Sequence, residues 1–256
     1  DLGYRSIAPE WGAAMYLTSS AIAFAVGTAV LVIYYKRHVP SGDRVVQTRE
    51  WLSSLLPFSL VAAVQVAMGQ TAMVVLGMVR PPTDTAIFRI VTLIGDVVGF
   101  SVLALGVLVG PRIAELYHKG EFAELNKLLR RTARYNVMFG AIIVAGIIIV
   151  SPFVIPVLFR PEYSAAYVPL CVYAIGQLCC LGVGMAATLA NMSGHEKMTV
   201  RSAMIGLCLN VALSFVLCRY YGPVGAALSA VTSTFVSKLI LAVQVYRKTS
   251  INSWAV

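Results

Sequence analysis

The sequence has little charge and few of the side chains that enzymes use for chemistry. Only 12% of its 256 residues are charged and three are histidines. It contains no phosphate-binding glycine loop, serine-nucleophile elbow or HExxH segment, and no paired carboxylates suited to hydrolysis. These absences argue against an enzyme, and a pump driven by ATP would need its ATPase on another chain. No cofactor is expected.

The five cysteines do not form a metal or redox pattern. All of them lie in apolar runs, and their spacing matches no zinc-ligand or disulfide framework. Cysteines in such runs usually behave as small core residues. The sequence therefore predicts no metal site.

Long apolar runs dominate what is present. Hydrophobic residues make up 59% of the chain and the mean hydropathy is +0.81, which is more apolar surface than a soluble domain of this size buries. A membrane-spanning helix needs roughly 20 apolar residues. Seven stretches qualify: 12–35, 52–79, 86–110, 135–158, 163–192, 202–218 and 224–246. The predicted fold class is an all-α integral membrane protein of about seven transmembrane helices.

The basic residues alternate between the gaps that separate these runs. Most of the 20 Lys and Arg residues fall in gaps around residues 36–49, 112–134, 197–201 and 247–248, whereas the other gaps hold Arg5, Arg80, Arg160 and Arg219. Basic gaps remain in the cytosol. This predicts a multi-pass protein with its N-terminal segment outside and its C-terminus in the cytosol. The net charge of +9 then indicates anionic phospholipids as partners, and no nucleic acid.

The basic segment 111–134 is the only sizeable inner connection. Its apolar residues recur at helical spacing among charged ones, which favours an amphipathic helix on the inner membrane surface. A solvated connector whose leucines pack on the bundle explains the pattern equally well. The outer connections are too short for a folded outer domain.

Polar side chains within the spans are the candidate site residues. An ionisable group in hydrocarbon is costly unless it faces a cavity or a partner. Arg89 and Asp96 are two helical turns apart and project from nearly the same face. We expect Arg89 and Lys238 to bind an anionic substrate and Asp96 to hold Arg89 in place or to serve coupling. Uncharged groups that could line the same cavity, or could instead join helices, are Gln65, Gln70, Gln177 and Asn210.

Five segments resemble bacterial polysaccharide and O-antigen flippases, which export lipid-linked oligosaccharides and share a superfamily with MATE drug exporters. In chain order they are WLSSLLP (51–57), DTAIFRI (84–90), GPRIAELYHKGEFAELNKLLRRTAR (110–134), NMSGHEK (191–197) and YGPVGAALSAVTS (221–233). The sequence departs from the family at Gln70, where many relatives carry an acidic residue, and at Thr85, where the family has glycine. The first departure bears on any cation coupling carried over from relatives.

The resemblance implies two six-helix lobes that alternate access to a central cavity. Residues 1–50 would then be the sixth helix, at the end of the N-terminal lobe, and the basic linker between lobes. Residues 51–256 would be the C-terminal six-helix lobe. The chain would begin within a longer protein, so its implied partners are the missing N-terminal lobe, a polyprenyl-pyrophosphate-linked oligosaccharide and other polysaccharide-assembly proteins.

The implied function is flipping this lipid across the bacterial inner membrane for polysaccharide or lipopolysaccharide biosynthesis. Two rivals are a MATE-like exporter of small organic cations and an integral-membrane glycan polymerase or ligase. An exporter of cations would favour an acidic cavity, and a polymerase would need a large outer loop. A non-transporting scaffold is a further alternative.

Overall fold

The computed structural model describes residues 9–38, 48–159 and 161–249. These residues form helices α1 (Pro9–His38), α2 (Thr48–Val79), α3 (Pro82–Lys119), α4 (Phe122–Phe159), α5 (Tyr167–Gly182), α6 (Ala186–Met192) and α7 (Glu196–Thr249), with a 3₁₀ helix at Pro161–Ala166 before α5. The chain divides into two compact units, Asp1–Thr48 and Arg49–Val256. The described part contains no strands, so the predicted all-α fold class is confirmed.

The first unit contributes α1, which covers the first predicted span. Its described side chains run from Thr18 to Tyr34 and are mostly apolar. The second unit contains all the other helices and is described from here on.

Three predicted spans are divided differently in the structure. The stretch 163–192 is not one helix: α5 ends at Gly182, Gly184 has a positive φ of 79°, and the short α6 follows. Conversely, the stretches 202–218 and 224–246 belong to one kinked helix, α7. The kink lies at Gly222, whose φ of 54° and ψ of −130° suit glycine, and Pro223 follows it.

The two halves of α7 pack against each other in antiparallel directions. The Ser214 hydroxyl lies 2.9 Å from that of Ser229, and the Ser237 hydroxyl donates to the Ser202 carbonyl at 2.9 Å. A Cβ on Gly206 would lie only 2.7 Å from that of Ser237, so the glycine permits this close approach. Both ends of α7 therefore lie at the same end of the bundle.

Three apolar clusters follow one another along the bundle. The first joins the end of α2, the start of α3 and the kink of α7, with Leu76, Phe88 and Cys218 among its members. The second joins the end of α3, the start of α4, α6 and the end of α7. The third, which includes Val98 and Val144, also joins α3, α4 and α5. We call the end of the bundle that contains the first cluster the kink end, after the kink at Gly222. The end that contains the second cluster is the hairpin end, after the α3–α4 turn at Gly120.

The segment 111–134 is a hairpin and not a separate surface helix. Helix α3 runs on through Pro111 to Lys119, a left-handed Gly120 makes the turn, and α4 begins at Phe122. Ile113, Leu116, Leu125 and Leu129 are at most 2% exposed because they pack in the second cluster. The surface-helix prediction is wrong, and the leucines pack on the bundle.

Five described helices are long and apolar enough to cross a membrane. They are α2, α3, α4, the helix that covers α5, and α7. With 54 residues α7 would be roughly 80 Å long if straight, so its two halves each suffice to cross a hydrocarbon layer of about 30 Å. The chain is a multi-pass membrane protein.

Candidate functional site

Three of the predicted polar residues are exposed in the second unit. Helix α2 packs on the bundle through Val64, Met68 and Ala72, and its Gln65 and Gln70 are both exposed. Arg89 is also exposed, although its neighbours Phe88 and Ile90 are buried. These groups occur within apolar helices, where a polar side chain facing lipid is costly.

Asp96 is held by a tyrosine from another helix. The Tyr173 hydroxyl on α5 donates to the Asp96 carboxylate at 2.8 Å. The tyrosine ring lies against the α3 backbone at Gly95, where a Cβ would collide with it, and packs edge-on against Phe88 with ring centroids 6.4 Å apart. Glycine at residue 95 therefore allows the hydrogen bond to form.

The hypothesis that Asp96 holds Arg89 in place is wrong. Among the described residues no ion pair joins them, and the carboxylate is bonded to Tyr173 instead. Seven residues of helix separate their Cα atoms by roughly 10 Å along the axis, whereas side chains pair directly at spacings of three or four. A shared face is not sufficient for contact.

At helical spacing, Tyr173, Gln177 and Cys180 share one face of α5. Helix α5 packs against both α3 and α7. Cys180 is fully buried, whereas Gln177 and the Lys238 of α7 are partly buried. Asp96 and Tyr173 form a hydrogen-bonded pair, and Arg89 lies outside it.

Asn210 is fully buried in the hydrogen-bond network that joins α2 to α7. Its amide nitrogen donates to the Met68 carbonyl at 2.8 Å, and its oxygen accepts from Ser214 at 3.0 Å. Such a bond satisfies a polar group inside an apolar bundle. We assign Asn210 this structural role and not substrate contact.

Sequence reasoning missed a guanidinium clamp at the kink end. Arg80 follows α2, and its Nε donates to the Cys218 carbonyl at 3.3 Å while its Nη2 donates to the carbonyls of Arg219 at 3.0 Å and Tyr220 at 3.4 Å. A Cβ on Gly222 would lie 3.3 Å from the Asp84 carboxylate and 3.9 Å from the Arg80 guanidinium carbon. The clamp fixes the α2–α3 loop to the kink of α7. The available sequence signal is an arginine in the short gap 80–85, while the tyrosine-glycine-proline turn at 221–223 marks the kink that it contacts.

Solved structures share the fold of this chain, although no protein-family model and no curated protein sequence matches it. It superposes with a TM-score of 0.65 and 15% identity on an outward-facing multidrug resistance MATE family transporter of the MOP superfamily. The match covers 78% of this chain and 45% of that one. The fold is similar to part of the fold of that transporter.

A second structure with the MOP fold, a transporter from Pyrococcus furiosus described as having a binding pocket of reverse polarity, superposes with a TM-score of 0.50 and 17% identity. The match covers 78% of this chain and 44% of that transporter. The chain spans less than half the length of both solved structures. Both neighbours are transporters.

Proposed function

We propose that the second unit is one lobe of a membrane transporter, and that its exposed polar surface lines a cavity closed by another lobe. The observation that carries this proposal is the placement of Gln65, Gln70 and Arg89, which are exposed on the bundle but belong to apolar helices. Lipid would not solvate these groups. A water-filled cavity between two lobes would solvate them. The match to 45% of the solved MATE transporter supports the presence of a second lobe.

We further propose that the cargo is an anionic, hydroxyl-rich lipid-linked oligosaccharide. The spans carry two cationic side chains, Arg89 and Lys238, against the carboxylate of Asp96, which already accepts a hydrogen bond from Tyr173. An arginine presents a planar fork of donors that matches phosphate oxygens. A polyprenyl pyrophosphate carries such a group, and the glutamines would bond sugar hydroxyls. The lipid tail would remain in the bilayer.

Export of a small organic cation is the second candidate, favoured by the fold shared with a multidrug transporter. Such a cargo would need unpaired acidic lining. The Asp96 carboxylate is already hydrogen-bonded to Tyr173, so the charges favour an anion.

The test replaces Arg89 in the protein expressed with its complete flanking sequence in a strain that lacks surface-glycan export. Bidentate phosphate binding predicts that Arg89→Lys loses most export and Arg89→Ala nearly all of it, because a lysine offers a point charge without the fork. Export is measured by surface-glycan labelling, with membrane levels checked by blot.

The matched control is Arg219→Ala, since Arg219 is another exposed arginine near the kink end. It should export normally. Normal export by Arg89→Ala at normal protein level would exclude phosphate binding by Arg89. Silent Arg89→Lys with a defective Arg89→Ala would indicate an interfacial anchor instead.

A further inference from the structure

A basic cavity of about 800 Å³ opens at the hairpin end, between the start and the end of α7. The side chains that matter for its chemistry are Glu196, Lys197, Arg201, Gln244, Arg247 and Lys248. None of its lining residues belongs to the hydrogen-bonded pair of Asp96 and Tyr173. It lies at the end of the bundle that the charge pattern predicts to be cytosolic.

The antiparallel packing of the α7 halves creates this cavity. Contacts between Ser214 and Ser229, and between Ser202 and Ser237, fix the register of the two halves. Lys197 and Arg201 from the first half therefore converge with Arg247 and Lys248 from the second. Residues about 50 positions apart in the sequence share one concave surface.

The converging cations are not compensated within the cavity. Four cationic side chains face one carboxylate, Glu196, among its described lining residues. The ion pairs found in the described ranges are both formed by Glu115, which is not part of the lining. Like charges gathered in a concave site raise the local potential and attract anions.

An amide side chain also lines the cavity. Gln244 is partly buried there, and its side-chain oxygen is shielded from solvent without a hydrogen-bond partner. The same amide carries two N–H donors. A bound oxyanion would accept from them.

We propose that this cavity binds a phosphate-bearing anion. Arg201 and Arg247 bind the phosphate oxygens, and Gln244 donates a further hydrogen bond. The phosphate would belong to an anionic phospholipid headgroup of the inner leaflet or to a free pyrophosphate. The site is independent of the proposed transport function because none of its residues belongs to the candidate cargo surface.

A second basic surface on α4 provides the comparison. Lys127, Arg130, Arg131 and Arg134 line a smaller cavity of about 400 Å³ with Tyr135, and the Arg131 guanidinium lies over the Tyr135 ring. Its charges come from one helix, and all four are exposed, as are the four cations of the α7 cavity. It offers the same number of cations, with no carboxylate in its lining and without convergence of two helix ends.

The experiment compares two double variants. The first combines Arg201→Gln with Arg247→Gln, and the second combines Arg130→Gln with Arg134→Gln. Purified protein is titrated with phosphatidylglycerol or phosphatidylethanolamine in native mass spectrometry, and with inorganic pyrophosphate in calorimetry. Thermal unfolding checks folding. We expect the first double variant to bind the anion at least about tenfold more weakly, and the second to bind nearly normally.

The two ligand arms identify the source of the phosphate. Selective loss of phosphatidylglycerol binding supports a lipid headgroup, and selective loss of pyrophosphate binding supports a free anion. Equal loss in both double variants, or unchanged binding in the first, would overturn the proposal.

A separate single variant, Gln244→Glu, keeps every cation. We expect its carboxylate to repel the phosphate and to weaken binding several-fold. Unchanged binding by Gln244→Glu would also overturn the proposal.

Discussion

The two ends of the second unit satisfy their arginines in different ways. At the kink end, Arg80 donates to three backbone carbonyls of α7 beside the Gly222 kink. At the hairpin end, most basic side chains are exposed, and Arg112 and Lys119 pair with Glu115 on the surface of α3. Arg80 connects helices at the kink end, whereas the hairpin end presents most of its cations outward. Arg80 therefore stabilises the fold, while the exposed cations of the hairpin end are available for ligands.

The largest effect on stability is expected from Arg80→Ala. The change leaves the carbonyls of Cys218, Arg219 and Tyr220 without their charged donor, and hydrogen bonds of this kind contribute about 2 kcal/mol. We expect the Tm in detergent, followed by intrinsic fluorescence, to fall by several degrees. Arg201→Ala at the hairpin end removes the same charge from an exposed side chain and should shift the Tm little. Equal shifts would remove the distinction between the two ends.

A smaller effect is expected from placing asparagine at the two turn glycines. Gly120 has φ 74° and ψ 14°, a left-handed conformation that asparagine adopts readily. Gly222 has φ 54° and ψ −130°, where a side chain is strained by about 1–3 kcal/mol and its Cβ would crowd Asp84. Gly222→Asn should therefore lower the Tm clearly, while Gly120→Asn changes it little. A larger loss from Gly120→Asn would contradict the assigned backbone conformations.

The smallest effect is expected from Glu115→Gln. The hydrogen bond from Lys119 and then that from Arg112 hold the pKa of the Glu115 carboxyl below its usual range. A carboxyl whose pKa is lowered by folding stabilises the protein at pH values above its unfolded-state pKa. This stabilisation is lost as the pH falls through the folded-state pKa. We expect the variant to differ from the parent by at most about 1 °C in Tm at pH 7, because exposed pairs are weak, and the difference should vanish once the pH has fallen through the folded-state pKa. Glu121→Gln, which removes an exposed carboxylate from outside these pairs, is the control for the loss of one negative charge.

The sequence predicts the helices and their grouping well because both depend on local quantities. Apolar length identifies the spans, and the alternation of Lys and Arg predicts that the segments around residues 112–134, 197–201 and 247–248 share one side. The structure places these three segments together at the hairpin end. The sidedness of that end remains a prediction.

Contacts between helices could not be predicted in the same way. Whether Asp96 meets Arg89 or Tyr173 depends on how α3 and α5 are rotated and shifted relative to each other, and hydropathy carries no such information. The Tyr173 contact also requires Gly95, whose role is visible only once the ring lies against it. The break after α5 was missed because Gly184 interrupts the helix without interrupting the apolar run. The charge pattern assigns Arg80 only to a connecting loop. Its carbonyl partners lie about 140 residues away in the sequence, so the pattern cannot reveal them.

The kinked α7 hairpin has a consequence for how this chain enters a bilayer during synthesis. Only a tight turn separates its two halves, so they would leave the insertion machinery as a pair. Ser214 bonds Asn210 within its own half and Ser229 across the pair, so the two halves satisfy these polar groups before they pack against the earlier helices. A half inserted alone would expose these groups to lipid. Gly222 therefore matters at the earliest stage of the protein's life, when hairpin pairing decides whether the last two spans are accepted by the membrane.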